Sequence, residues 1–286
     1  MKSTIAACVP ALALTALLAA PGAEATEASA HCKKGVILKK KGKYEQALVA
    51  LDKCLELNPQ HHEGWFQKGK VHSKLGQYEK AKTAYFKAIE LDDDDSWYHS
   101  ALCGVLVRME EIDAAIEMCK LAVELDEDGD NWAAHAHLGV IYRQIRKYEA
   151  AVVHYKKAIE IAPDETFLYS NLGVVYRKMK KYADAVAMFQ KCIEQSPDQP
   201  IYHLNLAIAF RAQEKYELAI AEYIETTALD PTIAEAWWDM ALSYQALGKD
   251  DNALHALEKY LALVKDKNPI AEEKAKERID AIKEAK

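Results

Sequence analysis

The chain has 286 residues, half of them apolar, with 37 basic and 44 acidic side chains for a formal net charge of -7. That length and apolar content allow a sizeable core and exclude wholesale disorder, while the acidic balance offers no cation field for nucleic acid or anionic lipid. Only 11 Gly and 8 Pro interrupt a chain rich in Ala, Leu, Lys and Glu, which favours long helices with short connections.

The first 25 residues have the order of a secretory signal peptide: Lys2, an apolar run from Ile5 to Ala20, Pro21-Gly22, and the A-x-A string Ala23-Glu24-Ala25 that sets cleavage after Ala25. The run contains Pro10 and, at about sixteen residues, falls short of the roughly 20 a spanning helix needs. The string ending at Cys8 mimics a lipoprotein box but leaves no apolar region before it. The expectation is an exported protein, periplasmic in a Gram-negative bacterium and otherwise secreted or lumenal, touching membranes peripherally if at all.

Seven alanines set the register of the remainder. Ala47, Ala81, Ala115, Ala151, Ala185, Ala219 and Ala253 recur at separations of 34, 34, 36, 34, 34 and 34 residues. Within one unit apolar residues recur at three and four, over Leu138, Ile141, Tyr142 and Ile145 and then over Tyr148, Val152, Tyr155 and Ile159, which is the period of two amphipathic helices joined by a short turn. Small residues, Gly139 and Ala151, mark the helix crossing, and a proline such as Pro163 or Pro197 ends many units.

These features resemble the tetratricopeptide repeat (TPR) family, whose loose signature is W-x2-L-G-x2-Y, then A-x3-F, then P. Trp65 and Trp237 supply the aromatic, and Leu138-Gly139 and Leu172-Gly173 the central dipeptide. The third unit departs most, with Cys103 for the glycine, Cys119 for the large aromatic and Glu127 for the proline. The reading is a signal peptide over 1–25, seven units over 26–268 starting near 28, 62, 96, 132, 166, 200 and 234, and a capping helix over 269–286, where Ala271, Ala275, Ile279 and Ile282 form one stripe. The expected fold is all-α, a right-handed superhelical solenoid of seven helix pairs with a C-terminal cap.

Nothing resembles a nucleophile elbow, a phosphate-cradling glycine loop, an H-E-x-x-H helix or a C-x-x-C pair, so no enzyme activity, cofactor, metal or small-molecule substrate is expected. His61 with His62, and His135 with His137, are adjacent or alternate on helices and so face apart, unlike ligands at i and i+4. The acidic runs Asp92–Asp95 and Asp126–Asp130 follow neighbouring second helices and should approach one another; lacking an EF-hand's spacing, they read as solvated turns. The second carries the 36-residue step and Gly129, a candidate hinge.

In a helix pair that turns back near its sixteenth residue, positions summing to about 32 lie opposite. Cys32 and Cys54 are fifth and twenty-seventh in the first unit, Cys103 and Cys119 eighth and twenty-fourth in the third. They either form two disulfides, leaving Cys192 free, or stand as small apolar residues at packed places.

The resemblance implies a concave groove lined by the second, fifth, sixth, ninth, twelfth and thirteenth residues of each unit. At the twelfth place stand Arg143, Arg177 and Arg211, joined by Arg108 one place later in the third unit; at the sixth stand His137, Asn171 and Asn205, which resemble the asparagine ladder some TPR superhelices use to hold peptide backbone. Val140, Ser170, Val174, Leu204, Ile208, Trp238 and Leu242 complete the expected floor. The functional expectation is a scaffold or adaptor that binds an extended protein segment bearing acidic groups. A self-associating structural subunit is the alternative, and a regulatory subunit of an enzyme is not separable from the first.

Overall fold

The computed structural model describes residues 21–284; the apolar run expected of a signal peptide lies outside them. The described residues are all helical or in short connections, with fifteen α-helices. They pair in chain order as α1 (Pro21–Lys40) with α2 (Tyr44–Leu57), α3 (His62–Lys74) with α4 (Tyr78–Leu91), α5 (Ser96–Arg108) with α6 (Ile112–Glu124), and α7 (Trp132–Gln144) with α8 (Tyr148–Ile161). Next come α9 (Thr166–Lys178) with α10 (Tyr182–Gln195), α11 (Pro200–Ala212) with α12 (Tyr216–Leu229), and α13 (Ala234–Ala246) with α14 (Asp250–Val264), followed by α15 (Pro269–Glu284). No described helix is long and apolar enough to cross a membrane.

Pairing follows from side-chain size. All seven register alanines have zero exposure, because each sits where the two helices of its pair cross. The eighth residue of most units is a glycine lying against the large twenty-fourth residue: Gly69 on Tyr85, Gly139 on Tyr155, Gly173 on Phe189. In the third pair a disulfide between Cys103 and Cys119 occupies that place, with Cα atoms 5.4 Å apart, and a second joins Cys32 to Cys54 at 5.3 Å. Cys192 is free and buried.

Each pair turns through a residue in the left-handed region. The fifteenth place is Gly42, Gly76 and Gly248 in the first, second and seventh pairs, but Glu110, Arg146, Lys180 and Glu214 in the four between. In three units the fourth place ties the unit to the loop before it: the indoles of Trp65 and Trp237 donate to the carbonyls of Pro59 and Pro231, both at 2.9 Å, and His203 Nε2 meets Pro197 O at the same distance.

The chain divides into two compact units, one ending at Asp93 and one beginning at Asp94. The first holds α1–α4, with α2 and α1 packing on α3. The second holds α5–α15 and is closed by α15, which buries Ala275, Ile279 and Ile282. The division therefore falls in the first acidic run and not at the 36-residue step. At that step the loop is pinned: Asp126 accepts hydrogen bonds from the backbone N–H of Asp130 at 3.2 Å and Asn131 at 3.0 Å, and fully buried Asn131 donates to Ser96 Oγ at 3.0 Å. Helix α7 packs on both α5 and α6, so the loop that carries the extra residues is held between packed helices.

Candidate partner-binding groove

The sixth residue of α13 meets the twelfth residue of α11, and Asn171 of α9 and Arg143 of α7, at the same two places, line one cavity. That geometry is explicit at Arg211, whose Nη2 donates to Asp239 Oδ2 at 2.9 Å. It recurs in the first compact unit, where Lys39 donates to Gln67, and at the C-terminal end, where Arg278 Nε of α15 donates to Gln245 Oε1 at 2.6 Å. Lys39 and Gln67 were not singled out from sequence, although counting back from Arg143 by repeats reaches the same twelfth place. Burial, with Lys70 close by, lowers the Lys39 ammonium to about 8.

Arg108, His137, Val140, Arg143 and Asn171 come together around one cavity of about 550 Å³ in the second unit. The cavity is also lined by Val107, Glu110, Trp132, Gln144 and Phe167, which the sequence reading did not name. Phe167 is 40% exposed and lies 5.7 Å from Trp132, centroid to centroid, leaving an aromatic edge beside the two guanidiniums. His137 lies over Gly104, where a Cβ would meet Nε2 at 2.6 Å; desolvation, with Arg108 alongside, holds its pKa at about 4, so the ring is neutral at pH 7.

The ladder arginines have buried stems. Nε of Arg143, Arg177 and Arg211 is buried without an acceptor, and among the described residues neither Arg143 nor Arg177 has a carboxylate at ion-pair distance. Asn171 and Asn205 turn their amides onto their own helices, donating to Phe167 O at 3.0 Å and Ile201 O at 2.9 Å. Each keeps a second N–H and the carbonyl oxygen for other contacts.

Four residues expected in the groove are placed differently. Leu204 is only 5% exposed and belongs to the core. Asn205 is buried. Arg211 is already neutralised by Asp239. Trp238 lies under α15, with the Arg278 guanidinium 5.6 Å from its ring and Tyr260 at 4.9 Å. Ser170, Val174, Ile208 and Leu242 are half-buried, and none of them lines the cavity around Arg143.

Other clusters have local duties. Cys32, Cys54 and His61 place ligand-type atoms within 4.8 Å of one another, but the two sulfurs are joined and offer no thiolate. His135 Nδ1 lies 3.1 Å from His154 Nδ1; burial lowers both pKa values, that of His154 to about 4. Asp94, Asp95, Asp126, Glu127, Asp128 and Asp130 surround one cavity of about 500 Å³, and Asp95 also caps α5 by accepting from Trp97 N at 2.8 Å.

Family profiles described as tetratricopeptide repeat match residues 28–61, 62–95 and 132–165, then 165–232, then 204–268. No curated protein matches the chain. Among solved structures it is similar to the hetero-tetramer Cut9-Hcn1 of the APC/C, at 20% identity and a TM-score of 0.69, covering 76% of this chain but only 43% of that one. It is also similar to PilF of Pseudomonas aeruginosa, at 22% identity and a TM-score of 0.65, covering 76% of this chain and 97% of the other. A third is YrrB, titled a TPR protein with an unusual peptide-binding site, at 21% identity and a TM-score of 0.59, covering 68% and 98%. Such identities speak to fold alone, but the profiles span most of the described helices: the chain belongs to the tetratricopeptide repeat family of protein–protein interaction scaffolds.

Proposed function

We propose that the protein is a non-enzymatic scaffold of an exported compartment that holds an extended, acidic segment of a partner protein along α5, α7 and α9. The observation that carries this reading is the convergence of Arg108 and Arg143 on a cavity that contains an aromatic edge, a neutral histidine and an asparagine, with Glu110 its single carboxylate. A guanidinium fork accepts a carboxylate through two parallel charge-assisted hydrogen bonds, and the asparagine complements a peptide backbone. Arg177 extends the same row one repeat further. Two disulfides within single helix pairs support an oxidising compartment, where such bonds persist.

The test uses the chain from residue 26 and a fluorescein-labelled twelve-residue peptide with Glu at alternate positions, beside its Gln counterpart. Binding of the Glu peptide by anisotropy, weakened at least tenfold by Arg108→Glu with Arg143→Glu and by raising salt from 50 to 300 mM, is the expected result. Equal binding of both peptides, or indifference to the double substitution, would show that the groove recognises something other than acidic side chains.

A further inference from the structure

We infer that Asp239 is an internal occupant of the groove: it holds at Arg211 the place that a partner's carboxylate holds at Arg143 and Arg177, and so sets where the acidic segment must end. The inference rests on the groove reading above and adds a boundary to it.

The argument is one of equivalent positions. Asn171, Asn205 and Asp239 are the sixth residues of successive units, and Arg143, Arg177 and Arg211 the twelfth residues of the units before them. At the first two steps the residue at the equivalent place is a neutral amide turned onto its own helix. At the third it is a carboxylate, 7% exposed, accepting from Arg211 Nη2 at 2.9 Å and from the Tyr223 hydroxyl at 3.3 Å on the same oxygen. Tyr223 is the twenty-fourth residue of its unit, as Tyr155 is beside Arg143, so the surroundings of the two arginines match and the carboxylate is what differs. Asp and Asn have nearly the same shape, so the change from Asn205 to Asp239 alters charge and leaves the groove's outline intact. Burial raises the Asp239 carboxyl, while Arg211 foremost, and Arg177 beyond it, oppose that shift.

The step after Asp239 is closed as well. Arg278 of α15 donates to Gln245, the twelfth residue of the seventh unit, and covers Trp238. Open anion steps therefore run from Arg108 through Arg143 to Arg177, and an acidic ligand is registered against that end.

The Glu peptide and its Gln counterpart read the inference by anisotropy on single substitutions. Arg143→Gln and Arg177→Gln should each weaken the Glu peptide about five- to tenfold, Arg211→Gln less than twofold. Asp239→Asn should tighten it about three- to tenfold and steepen its salt dependence, and adding Arg211→Gln to that variant should restore the wild-type value. Should Asp239→Asn prove unfolded by circular dichroism, the Arg211→Gln comparison still decides. If Arg211→Gln is as damaging as Arg143→Gln, Asp239 is not an occupant and the groove reading survives. If none of the three arginine substitutions matters, or the wild type does not discriminate Glu from Gln, the groove reading fails and takes the inference with it.

Discussion

Gly139 lies flat against the ring of Tyr155, so that a Cβ on residue 139 would stand 2.8 Å from three ring carbons. Alanine there gains about 1 kcal/mol of helix propensity but overpacks a rigid aromatic, a cost of about 1–3 kcal/mol. The second effect wins because the ring is fully buried and has nowhere to move. Gly139→Ala should destabilise the second unit, read as a lower midpoint in urea; a raised midpoint would show that the α7–α8 crossing is loosely packed.

The four non-glycine residues at the left-handed turns within helix pairs make the opposite case. Arg146 at φ 61° and Lys180 at φ 59° occupy a conformation that disfavours a side chain by about 1–2 kcal/mol. Arg146→Gly or Lys180→Gly should stabilise by roughly 0.5–1 kcal/mol after the extra unfolded-chain entropy of glycine is subtracted. Thermal melts without any gain would place the strain elsewhere.

Reduction offers a third test. Each disulfide closes a short loop, with sequence separations of 22 and 16 residues, and constrains the unfolded chain by about 3 kcal/mol. Dithiothreitol should lower the urea midpoint, and the variant Cys103→Gly with Cys119→Tyr, which installs the pairing used by the fourth unit, should fold and lose the reductant sensitivity of its own pair. Burial pushes the Cys192 thiol up to about 12, so thiol reagents should count none in the native chain from residue 26 and one in denaturant. Five thiols in the unfolded, unreduced protein would overturn both bridges.

Acid sensitivity follows from the half-buried histidines. The folded pKa of His137 is about 4 against an ordinary 6.5, so between these values the unfolded chain binds more protons and folding weakens as pH falls. Its contribution is intact above about pH 6.5, and roughly 1–2 kcal/mol should be lost between pH 7 and pH 4.5 after allowance for solvent screening. His137→Asn, which supplies the residue found in the next two units, should flatten that slope while His135 and His154 keep part of it. An unchanged pH profile of the urea midpoint would mean that His137 is hydrated in solution.

The repeat was readable because seven alanines at nearly fixed spacing must each fit a helix crossing, a requirement that local composition alone expresses. The Arg211–Asp239 pair was not, since it joins residues 28 apart across two helix pairs and is announced by one carboxylate in a series of amides. Leu204 was misplaced because burial at the fifth position does not follow side-chain size: Ser100, Ala136 and Leu204 are buried there while Trp238 is half-buried, so it is set by neighbours in space. The division after Asp93 was hidden in four aspartates that read as an ordinary turn.

Both disulfides are confined to single helix pairs, one in each compact unit, and this gives the chain a mechanical property. If the ends were pulled, the residues between Cys32 and Cys54 and between Cys103 and Cys119 could not be paid out, at separations of 22 and 16 residues. At about 3.4 Å per extended residue, that withholds roughly 130 Å of reach. Neither bridge crosses from Asp93 to Asp94, so a protease cutting in the aspartate run would part the protein into two pieces, each still crosslinked within itself.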